Sequence, residues 1–341
     1  MKKITSLLLM LVILFSITAC GGSTGETQQP AESQPDASDA PAPDDNSGDG
    51  AESNDIIIGA SFGQNVHPFF VAMQLGIEQA CQDLGISNLN FLAADGSLET
   101  QVSQIENLVT MGCDAILLNP YDSDGVANAV ADASRAGVKI ITMDIDCAGS
   151  DAFVASNNVL VGEMLGDYII EQLGGTGKIA IIDGISVTSL KDRSEGFLGK
   201  IAASDIEIVA EQYAAMERST SLEAAETILQ ANPDIKAFVG VNENSGMAIL
   251  SAVTAAGRLD DIIITTVDAT SENLAAIRDG KVEVGVSQNP YLMGYQAVEQ
   301  AVRMKKGENV EKFVEVEVSY MTKENVQEFI TREQGYGVEI E

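Results

Sequence analysis

LLNPYDSDGVANAV (residues 117–130) starts as the end of an apolar strand and turns at once into Asn119, Pro120, Tyr121, Asp122, Ser123 and Asp124. A strand buried on both faces that releases polar side chains at its mouth suits a doubly wound sheet, where ligands sit beyond the carboxyl ends of parallel strands. The same pattern recurs along the chain. Short apolar runs lie at 56–60, 89–93, 115–118, 139–143, 178–182, 206–210, 237–241, 262–266 and 282–286. Several end on a polar group: Asn119, Asp144 in TMDID, Asp183 in IIDG, Asn242 in GVNEN, Asp268 in TVDAT and Gln288 in VSQNP. Local roles compete at some of these positions. Asn119-Pro120 also reads as a turn, and Ser123 or Asp124 as caps of the following helix.

Between the strands lie helical stripes, such as Phe70, Met73, Ile77, Ala80 and Leu84, then Leu98, Val102, Ile105 and Val109. Alternating strand and helix predicts parallel sheets of right-handed βαβ units. The rhythm changes at 151–158, which divides the nine runs between two sheets and so between two α/β domains. After Asn289 the pattern predicts a helix over 291–305, one strand over 313–319 and a helical stretch near Asn325. These extra elements return the chain to the first domain.

The N-terminus carries a different message. Lys2 and Lys3 precede an apolar run from 7 to 17, too short for a membrane span and flanked like a secretory signal. Its end, Ile17-Thr18-Ala19-Cys20, resembles the lipobox of bacterial lipoproteins, which implies cleavage before Cys20 and lipid on its sulfur. Residues 1–20 are thus expected to be a lipoprotein signal. Residues 21–54 hold eight acidic residues, no basic ones and four of the eight prolines. Such a segment buries too little apolar surface to offset its ordering entropy, and is expected to be a disordered acidic tether spanning about 30 Å.

The net charge is −32; the two leader lysines and eight tether acids leave −26 on residues 55–341. That charge disfavours nucleic acid as a partner. Cys81, Cys113 and Cys147 are an odd number without CxxC spacing and read as free buried thiols. A single histidine, His67, leaves no His-rich metal cluster and little room for a Ser-His-Asp triad. GGTGKI (174–179) lacks the first glycine and the final Ser or Thr of a phosphate loop, and reads as a helix stop. Paired carboxylates such as Asp144 and Asp268 also serve polyol recognition, and no catalytic motif accompanies them. No enzyme, cofactor or metal is expected.

HPFF (67–70), LLNPYDSDGVANAV, ASNNVLVGEMLGDYI (155–169), RSEGF (193–197) and GVSQNPYLMGYQAVE (285–299) together resemble the ribose-binding type of bacterial solute-binding protein. The resemblance implies two doubly wound, Rossmann-like domains joined by three hinge crossovers, a Venus flytrap that closes on its ligand. The crossings fall near Ser156, Gln288 and Glu317. One domain is then 55–156 plus 289–317, and the other 157–288 plus 318–341.

It also implies an extracytoplasmic, lipid-anchored, monomeric binding protein that hands a small carbohydrate to an ABC permease. Phe69 and Phe70 match the aromatic pair that stacks on the sugar. His67, Asn119 and Asn242 match amide positions, Asp144 and Asp268 the carboxylates that accept from hydroxyls, and Gln288 a hinge amide. Departures exist. Ile145 follows Asp144 where ribose binders carry arginine, their second arginine aligns with Lys191, and two aromatic positions align with Met216 and Val267. The expected ligand is therefore related to ribose but not ribose itself. Alternatives are a sugar-like signal such as autoinducer-2, held by Lys191 with Asp144 and Asp268, or a sensory role that presents the closed form to a receptor.

Overall fold

The computed structural model describes residues 55–183, 187–214 and 217–340. Cys20, the leader and the tether lie outside them, as does Met216. The first part of the folded chain runs β1 (Ile57–Phe62), α1 (Pro68–Asp83), β2 (Asn88–Ala93), α2 (Leu98–Thr110), β3 (Ala115–Asn119), α3 (Ala127–Arg135), β4 (Lys139–Met143) and β5 (Ala152–Ser156). Next come α4 (Asn158–Leu173), β6 (Thr176–Asp183), α5 (Thr188–Ile201), β7 (Asp205–Tyr213), α6 (Arg218–Ala231), β8 (Ala237–Gly240), α7 (Glu243–Ala255), β9 (Ile263–Val267), α8 (Ser271–Arg278) and β10 (Val284–Ser287). The chain ends with α9 (Pro290–Lys305), β11 (Phe313–Val316), β12 (Ser319–Thr322) and α10 (Val326–Gly335).

Two six-stranded sheets result, ordered β11-β5-β4-β3-β1-β2 and β12-β10-β9-β8-β6-β7. Strand for strand the orders correspond, so β4 in one sheet takes the place of β9 in the other. All pairings are parallel except β10 with β12. The chain passes between the sheets three times: after β5, after β10, and between β11 and β12. At the first two passages Ser156 Oγ donates to the Gln288 carbonyl oxygen at 3.1 Å, tying them together.

Two local expectations are corrected. The rhythm change at 151–158 contains a strand, β5, whose five residues AFVAS carry too little branched bulk to read as an apolar run. Residues 313–319 are not one strand: β11 ends at Val316 and β12 begins at Ser319 in the other sheet. Both halves look extended in sequence, and their pairing partners alone separate them.

Each sheet is covered by helices on both faces. Isoleucine, valine and leucine dominate the strands, and residues such as Ile58, Ile116, Ile141, Ile181, Phe238 and Ile264 are wholly buried. Burial of such side chains contributes about 1.5–3 kcal/mol each. GGTGKI does end a helix: Gly174 caps α4 in the left-handed conformation, with φ 63°. Close packing of α4 on α5 depends on Gly162 and Gly196. A Cβ on Gly162 would lie 1.8 Å from the Arg193 carbonyl oxygen, and one on Gly196 2.1 Å from that of Val159. Among the described residues no helix is long and apolar enough to cross a membrane.

Candidate functional site

Asp144 and Asp268 leave equivalent strands, β4 and β9, in the same way. Each donates its backbone N–H to the neighbouring strand, Asp144 to Val154 at 3.0 Å and Asp268 to Val286 at 2.9 Å. Each then turns into the left-handed region, with φ 62° and 79°. Aspartate tolerates that region better than most residues but still pays about 1–2 kcal/mol. Strain of this kind collects at functional sites, where the turn aims a side chain that a continuing strand would not.

Neighbouring amides hold both turns. Asn119, at the end of β3, donates Nδ2 to the Met143 carbonyl oxygen at 3.0 Å and hydrogen-bonds the Asp144 carboxylate. Gln101 in turn donates to the Asn119 carbonyl oxygen and accepts from the Tyr121 N–H. Ser123 Oγ donates to the Asp146 carbonyl oxygen at 2.6 Å, so it braces the loop after β4. Neither Ser123 nor Asp124 caps α3, whose first turn begins after Val126 with no side-chain cap. The polar run in LLNPYDSDGVANAV is thus largely scaffolding for Asp144. In the other sheet Gln288 Nε2 donates to Asp268 Oδ1 at 2.7 Å, while its Oε1, also buried, has no partner among the described residues.

A buried cation acts on both carboxylates. Arg193, in α5, is only 2% exposed. It donates to the Val241 carbonyl oxygen and, at 2.6 Å, to Asn158 Oδ1, and its Nε has no partner among the described residues. The charges of Asp268, Asp144 and Asp183 all act on it. Burial and, less strongly, the charge of Asp268 raise the Asp144 carboxyl while Arg193 and Asn119 pull it down, and the net position is about 7. Burial likewise raises Asp268, against the opposing pull of Arg193, His67 and Gln288. Two carboxylates drawn from water, with one buried guanidinium's charge acting on both, are poised to gain from a ligand that donates hydrogen bonds to both.

Lys191 does not join this cluster. Its side chain is 73% exposed and stands 4.0 Å from Glu195. The reason is helical: Leu190, Arg193, Ser194, Phe197 and Ile201 form the buried face of α5, and Lys191 projects to the other side. That periodicity was readable in RSEGF and its flanks and singles out Arg193 directly.

His67 caps α1, with Nδ1 accepting from the Phe69 N–H at 3.2 Å, and its Nε2 lies 2.8 Å from Glu243 Oε2. Glu243 opens α7 in the other lobe and carried no sequence signal. Phe69 and Phe70 are both buried, edge to face at 5.3 Å, within the core of the first lobe. Phe69 also borders a small hollow with Asp268, Thr270 and Pro290. Asn242 caps α7, its Oδ1 accepting from the Ser245 N–H at 2.9 Å, which leaves its NH2 as the group able to reach a ligand. A cleft of about 270 Å³ opens between the lobes, with Asp144, Asp146 and Phe153 on one side and Asn158, Thr188 and Asp192 on the other. Among the described residues, Asp144 is the one expected ligand contact that lines it, together with Ser156 of the first crossing. Cys81, Cys113 and Cys147 are free and buried, and burial pushes Cys147 up to about 12. Among the described residues no group of three His, Cys, Asp or Glu is arranged to hold a metal.

Two doubly wound lobes linked by three crossings, with carboxylates, amides and a guanidinium gathered at the strand ends, define a two-lobed binding protein of the type I periplasmic class. The comparisons with known proteins agree. The family described as periplasmic binding protein domain matches residues 58–309, and the chain belongs to it. The chain is 32% identical over 317 residues to the ribose import binding protein of Bacillus subtilis, covering 92% of this chain and 97% of that one. It is 31% identical over 257 residues to the D-allose-binding periplasmic protein of Escherichia coli, covering 72% and 83%. Among solved structures, an ABC transporter solute binding protein from Bacillus halodurans with bound myo-inositol superposes with a TM-score of 0.77 at 29% identity, covering 82% of this chain and 99% of that one.

Proposed function

We propose that this protein is the solute-binding component of an ABC importer, and that it captures a small carbohydrate or cyclic polyol between its lobes and delivers it to a membrane permease. The observation that carries the reading is the pair Asp144 and Asp268, buried on left-handed turns at equivalent strand ends and both under the charge of the buried Arg193. A polyol enclosed there needs every hydroxyl paired, since an unpaired buried polar group costs about 1–3 kcal/mol. Carboxylates accept, the Asn242 amide and Arg193 donate, and Gln288 Oε1 stands ready to accept. Relatives that bind ribose, allose and myo-inositol support the ligand class.

The lobes are taken as 55–156 with 289–317 and 157–288 with 318–341, closing about the three crossings. Lipid on Cys20 and the acidic tether would hold a monomeric body outside the cell membrane. Ribose itself fits less well than a relative of it, because Ile145 follows Asp144. The autoinducer-2 alternative loses the lysine on which it relied, since Lys191 stands in solvent.

A thermal-shift screen of the purified protein against pentoses, hexoses, inositols and autoinducer-2, followed by calorimetry on the hits, tests this. A ligand selective for the native state raises the melting temperature. No shift with any neutral sugar or polyol would reject the carbohydrate reading, and tight ribose binding would reject the narrower point.

A further inference from the structure

His67 and Glu243 belong to different lobes, and their side chains meet directly. His67 is fixed at the N-terminus of α1 by its own cap. Glu243 is fixed just as firmly at the first turn of α7: it is 5% exposed, accepts from the Thr270 side chain and lies 3.4 Å from Arg218, which also pairs with Glu272 at 2.8 Å. A carboxylate so anchored cannot follow the imidazole if the lobes part. The contact therefore exists only while they are together. We propose that His67 and Glu243 form a clasp from one lobe to the other, which stabilises the closed form and makes ligand capture stronger in mildly acid than in mildly alkaline solution. This rests on the reading of capture by lobe closure.

The direction follows from what closure brings to the ring. The charged groups facing it are Glu243 from α7, Asp268 after β9 and Arg218 from α6, all in the second lobe; its own helix contributes the edge of Phe70, 6.3 Å away. The Nδ1 cap belongs to the first lobe and is present open or closed, so it cancels from the difference. Burial lowers the imidazole pKa and Arg218 opposes protonation, yet the hydrogen bond to Glu243 and the charges of Asp268 and Glu243 outweigh them, and the net shift is upward. The closed form thus holds the proton more tightly than the open one. By linkage the clasp is at full strength below the open-form imidazole value and fades as pH rises through the raised closed-form value. Glu243 stays ionised throughout: burial opposes its charge, but His67, Thr270 and Arg218 hold its pKa below the usual carboxylate range.

Small-angle scattering of the full-length, ligand-free protein between pH 5.5 and 8.5 reads the closed fraction without knowledge of the sugar. A failed ligand screen and a failed clasp are therefore separate results. The wild type should open as pH rises. Glu243→Gln should lower the closed-to-open ratio at pH 6 by about tenfold, the scale of one hydrogen bond between charged groups, and flatten the response. His67→Asn keeps an N-cap for α1 and should behave alike, and the double variant should be no more open than either single one. A wild-type pH response in Glu243→Gln or His67→Asn, opening on acidification within this range, or single effects that add independently would each overturn the proposal.

Discussion

Replacing Arg193 by methionine removes the buried cation while keeping much of its bulk. Its guanidinium binds Asn158 and the Val241 carbonyl oxygen and faces Asp144 and Asp268. At pH 8 both carboxylates lose the charge that compensates them, and leaving buried charge uncompensated in this way costs about 3–5 kcal/mol. At pH 5 the loss is smaller. The Asp144 pKa, raised by burial to about 7, means that this side chain is already neutral in the folded protein there, and Asp268 is shifted in the same direction. What remains is the loss of the bonds to Asn158 and Val241, about 1–3 kcal/mol. The sign is set by linkage: a carboxyl whose folded pKa exceeds its unfolded value favours folding most at low pH, and that contribution disappears as pH rises through the folded pKa. Arg193→Met pushes that folded value higher still, so the deficit relative to wild type should widen from pH 5 to pH 8. Urea unfolding followed by circular dichroism at the two pH values measures it, with a midpoint shift at pH 8 about twice that at pH 5. A deficit that is the same at both pH values, or larger at pH 5, would show that Arg193 does not compensate these carboxylates.

Asp268→Asn should keep the left-handed turn, which asparagine tolerates, while removing an acceptor for the ligand; calorimetry should find the affinity lowered about 10- to 100-fold, the scale of a lost charged hydrogen bond. Gly162→Ala places a methyl against the Arg193 backbone, and thermal unfolding should register a loss of about 1–3 kcal/mol through overpacking between α4 and α5. Lys191→Ala, by contrast, touches only an exposed side chain, so stability should stay within about 0.5 kcal/mol. Its ligand affinity should match wild type in the same titration, and a large loss would return Lys191 to the site.

Much of this molecule was legible before any coordinates. Period-2 and period-3.6 apolar patterns fix strands and helices locally, because each side chain's direction follows from its place along one element. That is why the alternation, the two sheets and the polar strand ends at Asn119, Asp144, Asn242, Asp268 and Gln288 could be read from the chain. The same rule would have separated Arg193 from Lys191, since α5 turns one inward and the other out. Other features have no local cause. Whether 313–319 is one strand or two depends on which sheet edges are open to it. The work of Ser123, bracing the loop after β4, depends on a carbonyl 23 residues away. His67 and Glu243 are 176 residues apart, and nothing near either one announces the other. Contacts of that kind arise only when separate elements are packed against one another, because burial and charge are properties of the assembled surroundings, whereas periodicity belongs to the chain.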